Sequence, residues 1–122
     1  MKMLNSAALA AASALAILAA SPAFAHARLV SSNPANNAAV AAPRTIVLNF
    51  NERLVAAFTK VELTMPEHGG MKVAANSASA GEGKTVVVTP TRPLGKGAYR
   101  LVWSTASADG HKMNGEISFT VR

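Results

Sequence analysis

Apolar and polar residues alternate along four stretches of the chain, and this period of two predicts β-strands with one buried face. The apolar positions are Ile46, Leu48 and Phe50; Val61, Leu63 and Met65; Tyr99, Leu101 and Trp103; and Ile117, Phe119 and Val121. A β-branched run at residues 85–89 and weaker patterns near residues 28–31 and 71–74 raise the prediction to about seven short strands. We expect helical structure only as a short turn near residues 54–58.

Segments rich in Pro, Gly and Asn separate these strands. They lie at residues 33–37, 66–70, 76–83, 93–97 and 109–110. Short strands with regular turns predict an all-β fold, an antiparallel β-sandwich. The chain has no Cys, so the Cys-Trp-Cys signature of true immunoglobulin domains is absent. We expect Trp103 to be a core residue of the sandwich.

The first residues have the pattern of a secretory signal peptide. Lys2 precedes an apolar run at residues 8–20, and Ala23-Phe24-Ala25 supplies an A-x-A cleavage pattern. A membrane anchor is the alternative, but the run is shorter than the roughly 20 apolar residues that cross a bilayer. We therefore predict a signal peptide at residues 1–25, cleavage between Ala25 and His26, and one mature domain at residues 26–122 outside the cytoplasm.

Composition limits the chemistry that this domain can support. Without Cys, a metal site must use His, Met, carboxylate or backbone nitrogen. The chain has 12 Lys and Arg against 6 Asp and Glu, and these basic residues are scattered rather than clustered. We expect no binding of nucleic acid, because there is neither a basic run nor a series of aromatic residues for base stacking.

His26 becomes the first residue of the mature chain if the predicted cleavage takes place. Its free α-amine and its imidazole can then close a chelate ring on one metal ion, and nitrogen ligands favour Cu(II). A solvated terminus that is His by chance is the alternative. His111 lies in the turn sequence Asp109-Gly110-His111, where Asp109 can either add an oxygen ligand or orient the imidazole.

The mature sequence resembles the CopC family of periplasmic copper-resistance proteins. The matching segments are residues 26–35, 48–52, 89–90, 93–94, 97–103 and 107–111, followed by Gly115 and the strand of Phe119. The resemblance extends over essentially all of residues 26–122. It is the combination of a His exposed by cleavage with a later Asp-Gly-His that makes it specific.

The resemblance implies a small Greek-key, immunoglobulin-like β-sandwich that binds Cu(II) in the periplasm. In the family, the mature N-terminal His and the Asp-Gly-His motif form the site, which corresponds here to His26, Asp109 and His111. A Glu that follows the Leu-x-Phe strand lies at the site in some members, and it matches Glu52. As a simpler alternative, Glu52 is a solvated loop carboxylate.

Some members of the family also bind Cu(I) through a Met-rich loop. The corresponding residues here are Met65, His68 and Met71, because thioether sulfur is a soft ligand that suits Cu(I). This loop has fewer Met residues than the Met-rich version. Met65 is also in register to be a core residue, which would leave His68 as a surface side chain.

The leading functional hypothesis is a monomeric, non-enzymatic copper carrier or buffer, with copper as its ligand. The resemblance also implies an inner-membrane copper transporter as a partner. A copper redox enzyme of the histidine-brace type is a second hypothesis, although we expect no polymeric substrate because the chain has few aromatic residues. A metal-free structural or adhesive sandwich is the third.

Overall fold

The computed structural model describes residues 27–122, so the predicted signal peptide and His26 lie outside the described residues. Nine β-strands follow one another along this part of the chain. They are β1 (Leu29–Asn33), β2 (Ala38–Val40), β3 (Ile46–Phe50), β4 (Lys60–Met65), β5 (Met71–Val73), β6 (Ala75–Ala80), β7 (Thr85–Pro90), β8 (Gly97–Ala106) and β9 (Lys112–Val121). Short 3-10 turns occupy Ala56–Phe58, Pro66–His68 and Gly81–Gly83.

The strands form two sheets, which confirms the predicted β-sandwich. One sheet has the order β1-β3-β7-β6 and the other has the order β2-β9-β8-β4-β5. Every pair of neighbours is antiparallel except β2 and β9, which run parallel, so the expectation of a wholly antiparallel fold is corrected at one edge. Among residues 27–122, no helix is long and apolar enough to cross a membrane.

The structure has two strands that the apolar pattern did not predict. Residues 76–83 were expected to be a turn, but Ala75–Ala80 pairs with β7 along its whole length. This strand lies at a sheet edge and most of its side chains are exposed, so no alternation of apolar residues marks it. The second unpredicted strand, Ala38–Val40, has three residues and is held by its backbone pairing with β9.

The alternating apolar residues face each other between the two sheets, as the pattern predicted. Ile46, Leu48, Leu101 and Ile117 are at most 2% exposed. Burying a side chain of this size stabilises the fold by about 1.5–3 kcal/mol relative to leaving it in water. The hydrophobic effect on these inward faces therefore determines which side of each strand is buried.

Trp103 lies at the contact between the two sheets. Its ring meets that of Phe50 edge to face, with centroids 5.0 Å apart and planes at 82°. On its own sheet, Trp103 lies opposite Gly115 of β9. A Cβ atom added at Gly115 would lie 2.6 Å from Cζ2 of this ring, so only glycine leaves room for the indole.

We expect Gly115→Ala to destabilise the protein by about 1–3 kcal/mol, because overpacking forces the ring or the backbone to move. Gly95→Ala is the matched control, since a Cβ atom there would meet nothing within 4 Å. Chemical denaturation of both variants measures the difference. Equal stability of the two variants would show that the packing of Trp103 does not require glycine at residue 115.

Candidate metal centre

The Asp109–His111 loop is a tight turn that connects the two longest strands, β8 and β9. The N–H of Gly110 donates to the carbonyl of Ser107 at 2.9 Å, and the N–H of Ser107 donates to the carbonyl of His111 at 3.0 Å. Gly110 has φ of 93°, a left-handed conformation that glycine adopts without strain. The sequence Asp-Gly-His thus folds into a closed loop at the end of a ladder of ten residue pairs.

The carboxylate of Asp109 uses both of its oxygen atoms within this loop. Oδ1 accepts hydrogen bonds from the hydroxyl of Ser107 and from the backbone N–H of His111, the latter at 3.1 Å. Oδ2 lies 2.9 Å from Nδ1 of the His111 ring. Asp109 is therefore placed to orient the imidazole of His111, the second of the two roles that the sequence left open.

These hydrogen bonds also keep Asp109 ionised to lower pH than an ordinary aspartate. The Ser107 hydroxyl, followed by the backbone N–H and the ring of His111, holds the pKa of Asp109 well below its usual range. The ionised carboxylate favours the imidazole tautomer that carries its proton on Nδ1, and Nε2 is then the acceptor nitrogen of the ring. An imidazole of this tautomer, held by a carboxylate, is the arrangement typical of metal-binding His.

The sequence marks Ser107 only as part of the matching segment 107–111, and its role is a finding of the structure. Ser107 is 2% exposed, and its hydroxyl donates a hydrogen bond to Oδ1 of Asp109. Its position two residues before an Asp in a turn is the one local signal for such a contact. That signal is weak, because Ser and Asp are common in turns of every kind.

Segment 51–55 connects the start of the described chain to this loop. Near one end, the N–H of Arg28 donates to Oδ1 of Asn51 at 2.6 Å. At the other end, Leu54 forms a β-bridge with Ser107, and the N–H of Val55 donates to the carbonyl of Ala106 at 2.9 Å. Asn51 and Leu54 are three residue steps apart, so their Cα atoms are separated by at most about 11 Å. The first described residues thus lie at the same end of the sandwich as the Asp109–His111 loop.

Glu52 lies within this segment and is half-buried. The structure places it at the end of the sandwich that carries the Asp109–His111 loop. Among residues 27–122, however, no three His, Asp or Glu side chains are grouped closely enough to hold a metal ion. Asp109 and His111 are therefore the two predicted ligands that the described structure brings together, and His26 lies outside it.

The predicted Cu(I) residues lie at the opposite end of the molecule. Met65 is opposite Met71 in the antiparallel pair of β4 and β5, and both side chains line one cleft of about 410 Å³. Met65 is 8% exposed and belongs to the core, whereas Met71 is 52% exposed. His68 is exposed in the 3-10 turn that connects the two strands.

The length of β8 separates the two groups of candidate ligands. The ladder starts at Gly97, where an added Cβ atom would lie 2.9 Å from the methyl of Met65, and it ends at Ala106, just before the Asp109–His111 loop. At about 3.3 Å per residue, ten strand residues extend over roughly 30 Å. One metal ion cannot contact both groups.

Comparison with known proteins identifies the family. Residues 29–122 match the model of the CopC domain. The chain belongs to the CopC family. Copper resistance protein C of Xanthomonas campestris pv. juglandis is 47% identical over 112 residues, which cover 88% of each chain.

Solved structures agree with this assignment. The crystal structure of PcoC, a methionine-rich copper resistance protein from Escherichia coli, is similar with a TM-score of 0.74 and 42% identity. The match covers 80% of this chain and 100% of that one. Copper transport protein CutJ of Bacillus subtilis is 28% identical over 80% of this chain, but the match covers 18% of that longer protein. A CopC-like sequence thus also occurs as part of a much larger polypeptide.

We expect Ser107→Ala to raise the pKa of Asp109 toward its ordinary value, because the hydroxyl is the strongest of the contacts that lower it. Since the folded pKa lies below the unfolded one, the loop contacts contribute stability above the unfolded pKa and lose it as pH falls through the folded pKa. Carboxyl NMR titration measures the shift. Ser104→Ala, on the exposed face of β8, is the control and should leave the Asp109 titration unchanged.

Proposed function

We propose that this protein is a periplasmic copper-binding protein that holds Cu(II) through His26, the first residue of the mature chain. The observation that carries the proposal is the Asp109–His111 pair, an imidazole oriented by an ionised carboxylate at the end of the sandwich where the described chain begins. His26 would supply its amine and its imidazole, and His111 a further nitrogen. Such a nitrogen-rich set is typical of Cu(II).

Covalent connection supports the proposal that His26 and His111 share one site. Ala27 is fully buried, and Arg28 is hydrogen-bonded to Asn51 in both directions. Consecutive Cα atoms lie about 3.8 Å apart, so any ligand that residue 26 supplies would come from this end of the sandwich. Glu52, in the same segment, is the proposed oxygen donor.

The relatives support copper as the ligand, and the predicted signal peptide supports the periplasm as the compartment. Those compared above are named for copper resistance or copper transport. Because CutJ carries a CopC-like part within a longer copper transport protein, we propose that this chain exchanges copper with a membrane transporter as a separate, monomeric carrier. The signal peptide at residues 1–25 would then be required for export, and its cleavage for creating the ligand amine.

A redox enzyme of the histidine-brace type remains the alternative from a different class. Tyr99 and Trp103 are 2% and 6% exposed, and they pack in the core. Among the described residues, Phe58 is the one aromatic side chain with a large exposed surface. An extended aromatic face for a polymeric substrate is thus not present in residues 27–122, and we favour binding over catalysis.

Retention of Ala25 before His26 tests the site. We expect this extended protein to bind Cu(II) at least about tenfold more weakly than protein that starts at His26, because the chelate ring loses its amine. Competition titration and electron paramagnetic resonance measure affinity and ligand set. His111→Ala should also lose the nitrogen-rich spectrum, and His68→Ala is the matched control that should keep it. Equal affinity of the extended form would exclude the terminal-amine site.

We also propose a separate, weaker Cu(I) site formed by Met71, Met65 and His68. Directly opposed residues of antiparallel strands have Cβ atoms about 4.5–5.5 Å apart, which allows both thioethers to reach one soft ion. The burial of Met65 restricts its movement, and two Met residues are fewer than a Met-rich site provides. Both features favour modest affinity.

Met71→Ala should abolish Cu(I) binding measured by competition with a colorimetric chelator under reducing conditions. The fold should be retained, because Met71 is exposed and lies on the edge strand β5. Met113→Ala is the control, since β9 places it at the opposite end of the sandwich. Unchanged Cu(I) binding in Met71→Ala would exclude this site and leave the Cu(II) proposal intact.

A further inference from the structure

A cleft of about 500 Å³ lies on the outer face of the five-stranded sheet, beside the Asp109–His111 loop. We call it the Phe58 cleft and define it by Phe58, Lys60, Ser104, Lys112, Met113 and Asn114. Lys60, Ser104 and Asn114 are consecutive partners across β4, β8 and β9, so they form one row on this face. Lys112 directly follows His111, which brings the cleft next to the proposed copper ligand.

The Phe58 cleft carries two positive charges, and neither lysine forms an ion pair within the described chain. Lys60 and Lys112 are absent from the ion pairs found among residues 27–122, and no Asp or Glu lines the cleft there. The carboxylates of the next row are already engaged. Glu62 pairs with Lys72, and Glu116 lies 2.9 Å from Arg100. The two lysines are therefore available to an external anion.

Phe58 is an exposed aromatic side chain on a backbone that is held in place. Its side chain is 59% exposed. The adjacent Thr59 donates its hydroxyl to the carbonyl of Val55 at 2.9 Å, and it lies 2.8 Å from the hydroxyl of buried Thr105. An exposed aromatic residue that is presented by a fixed turn offers contact area at a low cost in conformational entropy. Such residues are enriched at protein interfaces.

We propose that the Phe58 cleft binds an acidic segment of a partner polypeptide, which then docks beside the Asp109–His111 loop. Carboxylates of the partner pair with Lys60 and Lys112, an apolar side chain covers Phe58, and Ser104 and Asn114 offer hydrogen bonds. The partner's role as copper donor or acceptor rests on the proposed function, but docking itself needs no copper. Electrostatic complementarity of this kind accelerates association and orients the partner.

Shape and charge favour a polypeptide over other occupants. A membrane surface is broad and meets protruding apolar residues, whereas this site is a recess with hydrogen-bonding groups. A second copy of the chain is disfavoured because the protein has a net charge of +6, or +5 once the predicted signal peptide and its Lys2 are removed. Like charges of this size oppose self-association through a basic face.

The test is a titration of metal-free mature protein with a peptide, and backbone amide NMR measures the binding. The probe is a short acetylated peptide with glutamates on both sides of a central leucine, and the same peptide with glutamine in place of glutamate is its control. We expect shift changes at residues 57–60, 104–105 and 112–114. The double variant Lys60→Gln with Lys112→Gln should bind the glutamate peptide at least about fivefold more weakly, and more salt should weaken wild-type binding.

Lys84→Gln with Lys96→Gln is the matched control, because it removes the same charge from loops outside the cleft. Phe58→Ser should also weaken binding while both Lys remain. Equal weakening in the two double variants, or no binding at all, would overturn the proposal.

Binding of vesicles containing phosphatidylglycerol through these residues, without binding of the peptide, would overturn it in favour of a membrane. A separate titration counts the Cu(II) bound by Lys60→Gln with Lys112→Gln, so failure of docking is distinguished from failure of the copper site.

Discussion

The ten-pair ladder between β8 and β9 is the interaction on which the rest of the molecule depends. It places Trp103 opposite Gly115, and this pairing gives the indole the space to reach Phe50 of the other sheet. Nε1 of Trp103 has no hydrogen-bond partner among the described residues, so the ring is held by packing rather than by a polar contact. A hairpin that crosses the whole sandwich also defines its two ends, and each group of candidate ligands lies at one of them.

This division suits a protein that handles one element in two oxidation states. The imidazole of His111 and the carboxylate of Asp109 lie in the β8–β9 loop, whereas the thioethers of Met65 and Met71 lie beside the start of β8. Nitrogen and oxygen ligands suit Cu(II), and thioether sulfur suits Cu(I). Because about 30 Å of rigid sheet separates them, the two proposed sites would be loaded and emptied independently. The Phe58 cleft is adjacent to the proposed Cu(II) site alone, so a partner docked there would exchange copper with that site and not with the proposed Cu(I) site.

Prediction from the sequence succeeded where a physical force acts on individual positions. Ile46, Leu48 and Leu101 were assigned to the core because burial of one strand face requires alternation, and all three are fully buried. The short turn near residues 54–58 appears as a 3-10 turn at Ala56–Phe58. Prediction failed for Ala75–Ala80, because an exposed edge strand is held by backbone hydrogen bonds, which leave no pattern of apolar side chains in the sequence.

The sequence alone therefore determined the fold class, the buried faces and the types of ligand that the chain can offer, because each of these follows from local patterning and side-chain chemistry. The tertiary structure decided which ligands meet. It placed the carboxylate of Asp109, which accepts a hydrogen bond from the hydroxyl of Ser107, against the ring of His111. It also placed segment 51–55 between Arg28 and that loop, and Met65 and Met71 at the far end of the sandwich. The last two relations depend on contacts between residues far apart in the chain, because strand register emerges only when the two sheets pack together.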